Sequence, residues 1–178
     1  MDRKIGLFWL RDDFRFTKNR GLIEATANHD QVVVFYLYKK DVYKNQEAQK
    51  WWLSKSLVNF RKQLNNLNIN LEIIETKSFK IFFDKLIKKK DFAIYWNKVY
   101  EPDYLNFDKY LSGIIKDNNI QHKRFKGNAL NEINEIKKGD GTPFKVFTPF
   151  WRTAEKFYIE KIPSREKMIK KCKKKITY

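Results

Sequence analysis

The chain has 178 residues, 42% of them hydrophobic and 16% aromatic, which supports a packed domain with its own core and excludes a disordered chain. A net charge of +17, carried mostly by lysine, attracts polyanions, nucleic acid first among them; a solvated lysine face and an AT-rich coding bias account for it equally well. The single cysteine excludes an internal disulfide, no apolar run is long enough to span a membrane and no signal-peptide core follows the start, so a cytoplasmic location is expected.

Ile5 to Leu10 is continuously apolar and reads as a buried strand. Thr17 is placed to cap a first helix carrying Leu22, Ile23, Ala25 and Ala27. Val32 to Tyr38, β-branched and aromatic throughout, is the clearest strand. Leu53, Leu57, Phe60, Leu64 and Leu67 recur at spacings of four and three and predict a second helix. Leu71 to Ile74 is a third, short strand. Phe79, Phe82, Phe83, Leu86 and Ile87 form one stripe of a third helix. Phe92 to Trp96 is a fourth strand, and Pro102 suits the first turn of a fourth helix that presents Phe107, Leu111 and Ile114 on one side. Ile120 to Phe125 is a weaker fifth strand with polar residues mixed in.

Such alternation predicts an α/β fold: a Rossmann-like, doubly wound, parallel five-stranded sheet with helices on both faces. Residues 1–152 form the expected domain. Residues 153–178 read as a basic tail or linker, because Lys161 to Tyr178 holds eight basic residues against one acid, Glu166. A basic arm for nucleic acid is the alternative. Cys172, inside that lysine run, reads as a free surface thiol.

Ligands of these sheets sit beyond the carboxyl ends of the strands, so the loops Arg11–Lys18, Lys39–Lys50 and Asn97–Asp103 carry the interest. No Gly-rich phosphate loop follows the first strand, and Gly139-Asp140-Gly141 reads as a turn. His29 and His122 are isolated, no metal-ligand spacing exists, and no nucleophile elbow appears, so no catalytic residue is expected. Arg11 and Arg15 follow a buried strand directly: they either bind an anion or pair with Asp12 and Asp13 to brace the loop.

Three phrases carry a resemblance: Phe8 to Phe16 (FWLRDDFRF) followed by Asn19; Tyr95-Trp96-Asn97-Lys98-Val99-Tyr100-Glu101-Pro102 with Asp108; and Gly141 to Arg152 (GTPFKVFTPFWR). Trp52-Leu53 with Ser56-Leu57 is a looser fourth. Collinear over residues 5 to 152, they resemble the amino-terminal α/β domain of the DNA photolyase/cryptochrome family. The resemblance implies a light-harvesting antenna domain holding a folate such as methenyltetrahydrofolate, or a deazaflavin. That pigment passes excitation to FAD in a helical domain, which repairs pyrimidine dimers in damaged DNA. The FAD-binding helical domain is absent from these 178 residues, so the chain is expected not to act as a lyase alone; a truncated gene product or half of a two-chain enzyme is implied.

By the same resemblance, the antenna contacts are Arg11, Asp13, Leu37, Tyr38, Trp52, Leu53, Glu101, Asp103 and Tyr104. Phe147, Pro149, Phe150 and Trp151 meet the flavin domain or, exposed, favour self-association. The sequence departs from the family where Asp103-Tyr104 replace the Asn-Glu of folate-type members and Gln49 replaces the arginine of deazaflavin-type members, leaving pigment identity open. Core packing is the plain alternative for Trp51, Trp52 and Trp96, favoured at Trp96. A cryptochrome-like signalling module and a stand-alone nucleotide- or nucleic-acid-binding protein are the competing functions.

Overall fold

The computed structural model describes residues 5–127, 129, 131–132, 134–158 and 168–175. They fall into two compact units: residues up to Gly127 together with the 168–175 segment, and the described residues between Asn128 and Glu166.

The first unit is a five-stranded parallel sheet in the order β3-β2-β1-β4-β5. Its strands are β1 (Ile5–Leu10), β2 (Val32–Tyr38), β3 (Asn70–Glu75), β4 (Phe92–Asn97) and β5 (Gln121–Phe125). The interior strands β1, β2 and β4 are apolar along their length because helices cover both sides of the sheet. Phe8 and Leu10 of β1 face one core with Leu22 and Ala25 of α1 (Arg20–Asn28) and Leu57, Phe60 and Leu64 of α2 (Glu47–Asn65). Trp9, one residue out of phase, faces the other core with Phe83 of α3 (Phe79–Leu86) and with Leu111 and Ile115 of α4 (Pro102–Asp117). The polar mixture of β5 follows from its place: an edge strand has one neighbour, and most of its side chains are exposed or half-buried.

Helix boundaries shift from the sequence reading where capping decides them. Asn19, not Thr17, caps α1: its Oδ1 accepts the Leu22 N–H at 3.2 Å. Ser78 caps α3, accepting from the Ile81 N–H at 3.2 Å. Leu67, expected on α2, lies past its end, where its N–H bonds the Leu64 carbonyl at 2.9 Å.

The 168–175 segment corrects two expectations. Cys172 is no surface thiol: it is 4% exposed and belongs to the α1–α2 core. Its N–H donates to the Leu67 carbonyl (2.9 Å) and its own carbonyl accepts from Asn68 Nδ2 (3.1 Å). The Lys173 N–H reaches the Asp30 carbonyl and the Lys170 N–H reaches Thr26 Oγ1, both at 3.1 Å. The lysines point outward while Ile169 and Cys172 pack, so charge density alone did not keep this stretch off the domain.

The second unit holds α5 (Phe147–Tyr158), a helix beyond the sequence expectation. Pro149 sits in its first turn, where a missing N–H leaves no intrahelical bond unmade. A turn precedes it, with Gly141 at φ +80° and Asp140 accepting from both the N–H and the hydroxyl of Thr142. Among the described residues no helix is long and apolar enough to cross a membrane.

Gly21 opens α1 against β1 and β4. A Cβ there would lie 2.6 Å from a ring carbon of Phe8 and 2.7 Å from Asn97 Oδ1. Gly21→Ala is expected to destabilise the first unit by about 2–3 kcal/mol through overpacking and a displaced hydrogen bond, read as a lowered midpoint in urea unfolding.

Candidate functional site

At the carboxyl end of the sheet the chain must turn from the apolar β1 into Arg11-Asp12-Asp13-Phe14-Arg15, and a polar cluster makes that turn possible. Asn97, last residue of β4, donates from Nδ2 to Asp13 Oδ2 (3.0 Å) and Asn19 Oδ1 (2.9 Å), while its Oδ1 accepts the Gly21 N–H (3.0 Å). Arg15 grips Asp13 with Nε on Oδ1 and Nη2 on Oδ2, both at 2.7 Å, and that grip raises the Arg15 pKa. Asn97, Asn19 and Asp13 are all buried and hydrogen-bonded.

Arg11 goes the other way. It is 4% exposed, and its Nη2 donates to Oδ1 of the fully buried Asp108 on α4. Its Cζ lies 3.9 Å from the Trp9 ring centroid and 5.3 Å from that of Tyr104, so π faces meet the guanidinium where Nε and Nη1 have no hydrogen-bond partner. Burial lowers the Arg11 pKa and outweighs the opposing pull of Asp108; an arginine stays protonated regardless. Arg124 of β5 adds a second positive charge, Nη1 3.6 Å from Asp108 Oδ2. The loop arginines therefore pair with carboxylates, Arg15 with its neighbour Asp13 and Arg11 with a residue 97 positions away.

Above this floor lies an open cavity of about 990 Å³, walled by residues that follow β1, β2, β3 and β4 and by the first turns of α2. Phe14, Tyr36, Tyr43, Trp52, Phe79 and Tyr104 give it aromatic surface. Tyr36 and Tyr43 join hydroxyls at 3.2 Å, and burial raises the Tyr36 pKa. Burial, with the Asp12 charge second, pushes Tyr104 up to about 12, so its hydroxyl stays a donor. Asp12, Glu101 and Asp103 bring carboxylates to the wall, and Lys39, Lys77 and Lys80 bring ammonium groups. The Asp12 pKa is raised, by desolvation first and by Glu101 second, against a smaller lowering by Arg11.

Of the residues expected to make a pigment site, Leu37, Trp52, Leu53, Glu101, Asp103 and Tyr104 line this cavity together. Arg11, Asp13 and Tyr38 do not. Arg11 and Asp13 are consumed by the pairs just described, and the Tyr38 ring stacks on Tyr43 at 5.5 Å with 7° between planes. Trp96 is core, stacked on His122 at 5.7 Å. Trp51 and Trp52 are not: they are 55% and 65% exposed, and only Trp52 reaches the cavity. Lys39, Lys77 and Lys80 escaped sequence reading because lysine is everywhere in this chain; their position just after β2 and β3 was the available signal. In the second unit Phe147, Pro149 and Trp151 are exposed and Phe150 half-buried, with Phe147 and Trp151 stacked at 6.2 Å.

A parallel sheet whose order reverses at β1, with a ligand-sized cleft outside that switch point, defines a doubly wound α/β domain. A family model described as DNA photolyase matches residues 6–167, and the chain belongs to that family. It is 28% identical over 149 residues to a deoxyribodipyrimidine photo-lyase of Agrobacterium fabrum, covering 84% of this chain and 31% of that protein. A Synechococcus deoxyribodipyrimidine photo-lyase is 23% identical over 149 residues, covering 82% of this chain and 31% of that protein. In fold the chain is similar to a bacterial class III photolyase from Agrobacterium tumefaciens (TM-score 0.79, 24% identity, 96% of this chain and 36% of that one). It is also similar to an archaeal photolyase from Sulfolobus tokodaii with two FAD molecules (TM-score 0.73, 21% identity, 92% and 37%). The chain thus corresponds to the amino-terminal α/β domain of its relatives and spans about a third of the length of the photo-lyases it matches.

Asp108→Asn leaves Arg11 buried without a counter-charge and is expected to destabilise the unit by about 3 kcal/mol; replacing both partners with apolar residues, Arg11→Met with Asp108→Leu, should recover more than half. Urea unfolding of the two variants beside the parent distinguishes a charge-burial penalty from simple loss of packing.

Proposed function

We propose that this chain is the light-harvesting domain of a photolyase system, and that the cavity at the carboxyl ends of β1 to β4 holds a planar antenna pigment. The observation that carries the proposal is the meeting, in one cleft, of aromatic faces with carboxylates free of protein partners among the described residues. A pterin, a deazaflavin or an isoalloxazine has a flat ring that stacks on such faces and ring N–H groups that carboxylates accept. Tyr104 and Trp52 are the stacking candidates, and Glu101, Asp103 and Asp12 the acceptors. The Sulfolobus protein, described with two FAD molecules and an implied novel light-harvesting cofactor, adds a flavin to the folate and deazaflavin already considered. When bound, the pigment supplies near-ultraviolet or blue absorption and passes excitation onward; the chain itself binds, orients and shields it.

The remaining chemistry belongs to a helical flavin domain and to damaged DNA as its substrate. Phe147, Pro149, Phe150 and Trp151 are our assignment for the surface that meets that domain. Their exposure supports the assignment, since an apolar helix start facing solvent has unburied area to offer a partner.

Titration of the purified chain with methenyltetrahydrofolate, a deazaflavin and FMN, followed by absorbance and fluorescence, tests the reading. A shifted pigment spectrum with saturable binding is expected, weakened about tenfold in Tyr104→Ala and Glu101→Gln. Saturation by none of the three overturns the proposal. Because an acceptor carboxylate must be ionised and the Asp12 pKa is raised, affinity should begin to fall on acidification at a pH above the ordinary aspartate value of about 3.9. Asp12→Asn should remove that step.

A further inference from the structure

The charges on the cavity wall are sorted by strand. Lys77 follows β3 and Lys39 follows β2, whereas Asp12 follows β1 and Glu101 and Asp103 follow β4. With the strands in the order β3-β2-β1-β4, both ammonium groups root at one end of the cleft and the three carboxylates at the other. Three inter-strand steps separate β3 from β4, roughly 14 Å at the usual strand spacing.

These groups do not neutralise one another. Among the described residues, no ion pair forms between either lysine and any of the three carboxylates. Lys39 Nζ lies 4.5 Å from the centroid of the Phe79 ring, held over an aromatic face. Lys80 is different: it is paired with Asp84 at 2.7 Å, so its charge is already answered. Opposite charges kept apart along one cleft match a molecule that is itself divided, with N–H donors at one end and an anion at the other.

Building on the antenna reading, we infer that the ligand is a flat heteroaromatic ring carrying an anionic tail, the ring edge toward Asp12, Glu101 and Asp103 and the tail toward Lys39 and Lys77. A phosphate on a flavin and the glutamate carboxylates of a folate share that chemistry. A ring ligand without an anionic tail satisfies only half of the cleft.

Two ligand pairs read this out, each differing in the tail alone: riboflavin against FMN, and methenyltetrahydrofolate with one glutamate against three. At low ionic strength the more anionic member of at least one pair should bind roughly five- to tenfold tighter, and added salt should shrink the ratio. The pair that shows it names the source of the tail. Lys39→Ala with Lys77→Ala should bring the ratio close to one, and Lys77→Arg should retain it. Lys62→Ala, on the far end of α2, is the control for general attraction by the +17 charge. Equal affinity within both pairs overturns the inference and leaves the antenna reading intact, as does a ratio that survives the double variant or falls equally with Lys62→Ala. Failure of all four compounds to bind overturns this inference, and failure of the deazaflavin as well overturns the antenna reading with it.

Discussion

One buried amide organises the working end of this domain. Asn97 ends β4 beside β1, where the sheet changes direction, and it spends both its donor and acceptor capacity on the chain that leaves β1. Asp13 fixes the loop, Asn19 fixes the cap of α1, and the Gly21 N–H fixes the helix itself. An apolar side chain there would leave the buried Gly21 N–H without its partner, at a cost of about 1–3 kcal/mol, and would take one hydrogen bond each from Asp13 and Asn19. The direction of the loop, and hence the delivery of Asp12 to the cleft, descends from that amide.

The second constraint is electrostatic. Arg11 and Asp108 sit where water does not reach, and desolvating two charges costs more than their contact returns unless other groups help. Trp9 and Tyr104 offer ring faces to the guanidinium, and Arg124 approaches the carboxylate. Tyr104 is thereby held from behind by a fixed cation and can present its other surface to the cavity. The pair therefore supports a wall; the wall faces the ligand.

Most of the fold was legible because its signals are local. A short apolar, aromatic-rich run such as FAIYW fits a strand covered on both faces, and the four-three repeat of Leu53, Leu57, Phe60 and Leu64 fits one face of a helix. The cavity was legible in part: six of the nine residues expected to contact a pigment line it, since loops after parallel strands converge. The other part needed distance. Nothing in the spacing of Arg11 and Asp108 reveals that they touch across 97 residues, and so Arg11 read as binding an anion or pairing with the adjacent aspartates. Tyr38 depended on whether Tyr43 would fold back over it. The packing of residues 168–175 onto the α1–α2 core was hidden for the opposite reason, a loud charge signal masking the two packed positions Ile169 and Cys172.

The buried sulfur of Cys172 has a practical corollary. Its own backbone N–H and carbonyl, with the N–H groups of Lys170 and Lys173, hold the segment onto the domain, so an alkylating reagent reaches the thiol when these bonds open. With no other cysteine in the chain, the alkylation rate becomes a clock for one local opening event, reporting on the edge of the domain before the sheet itself comes apart.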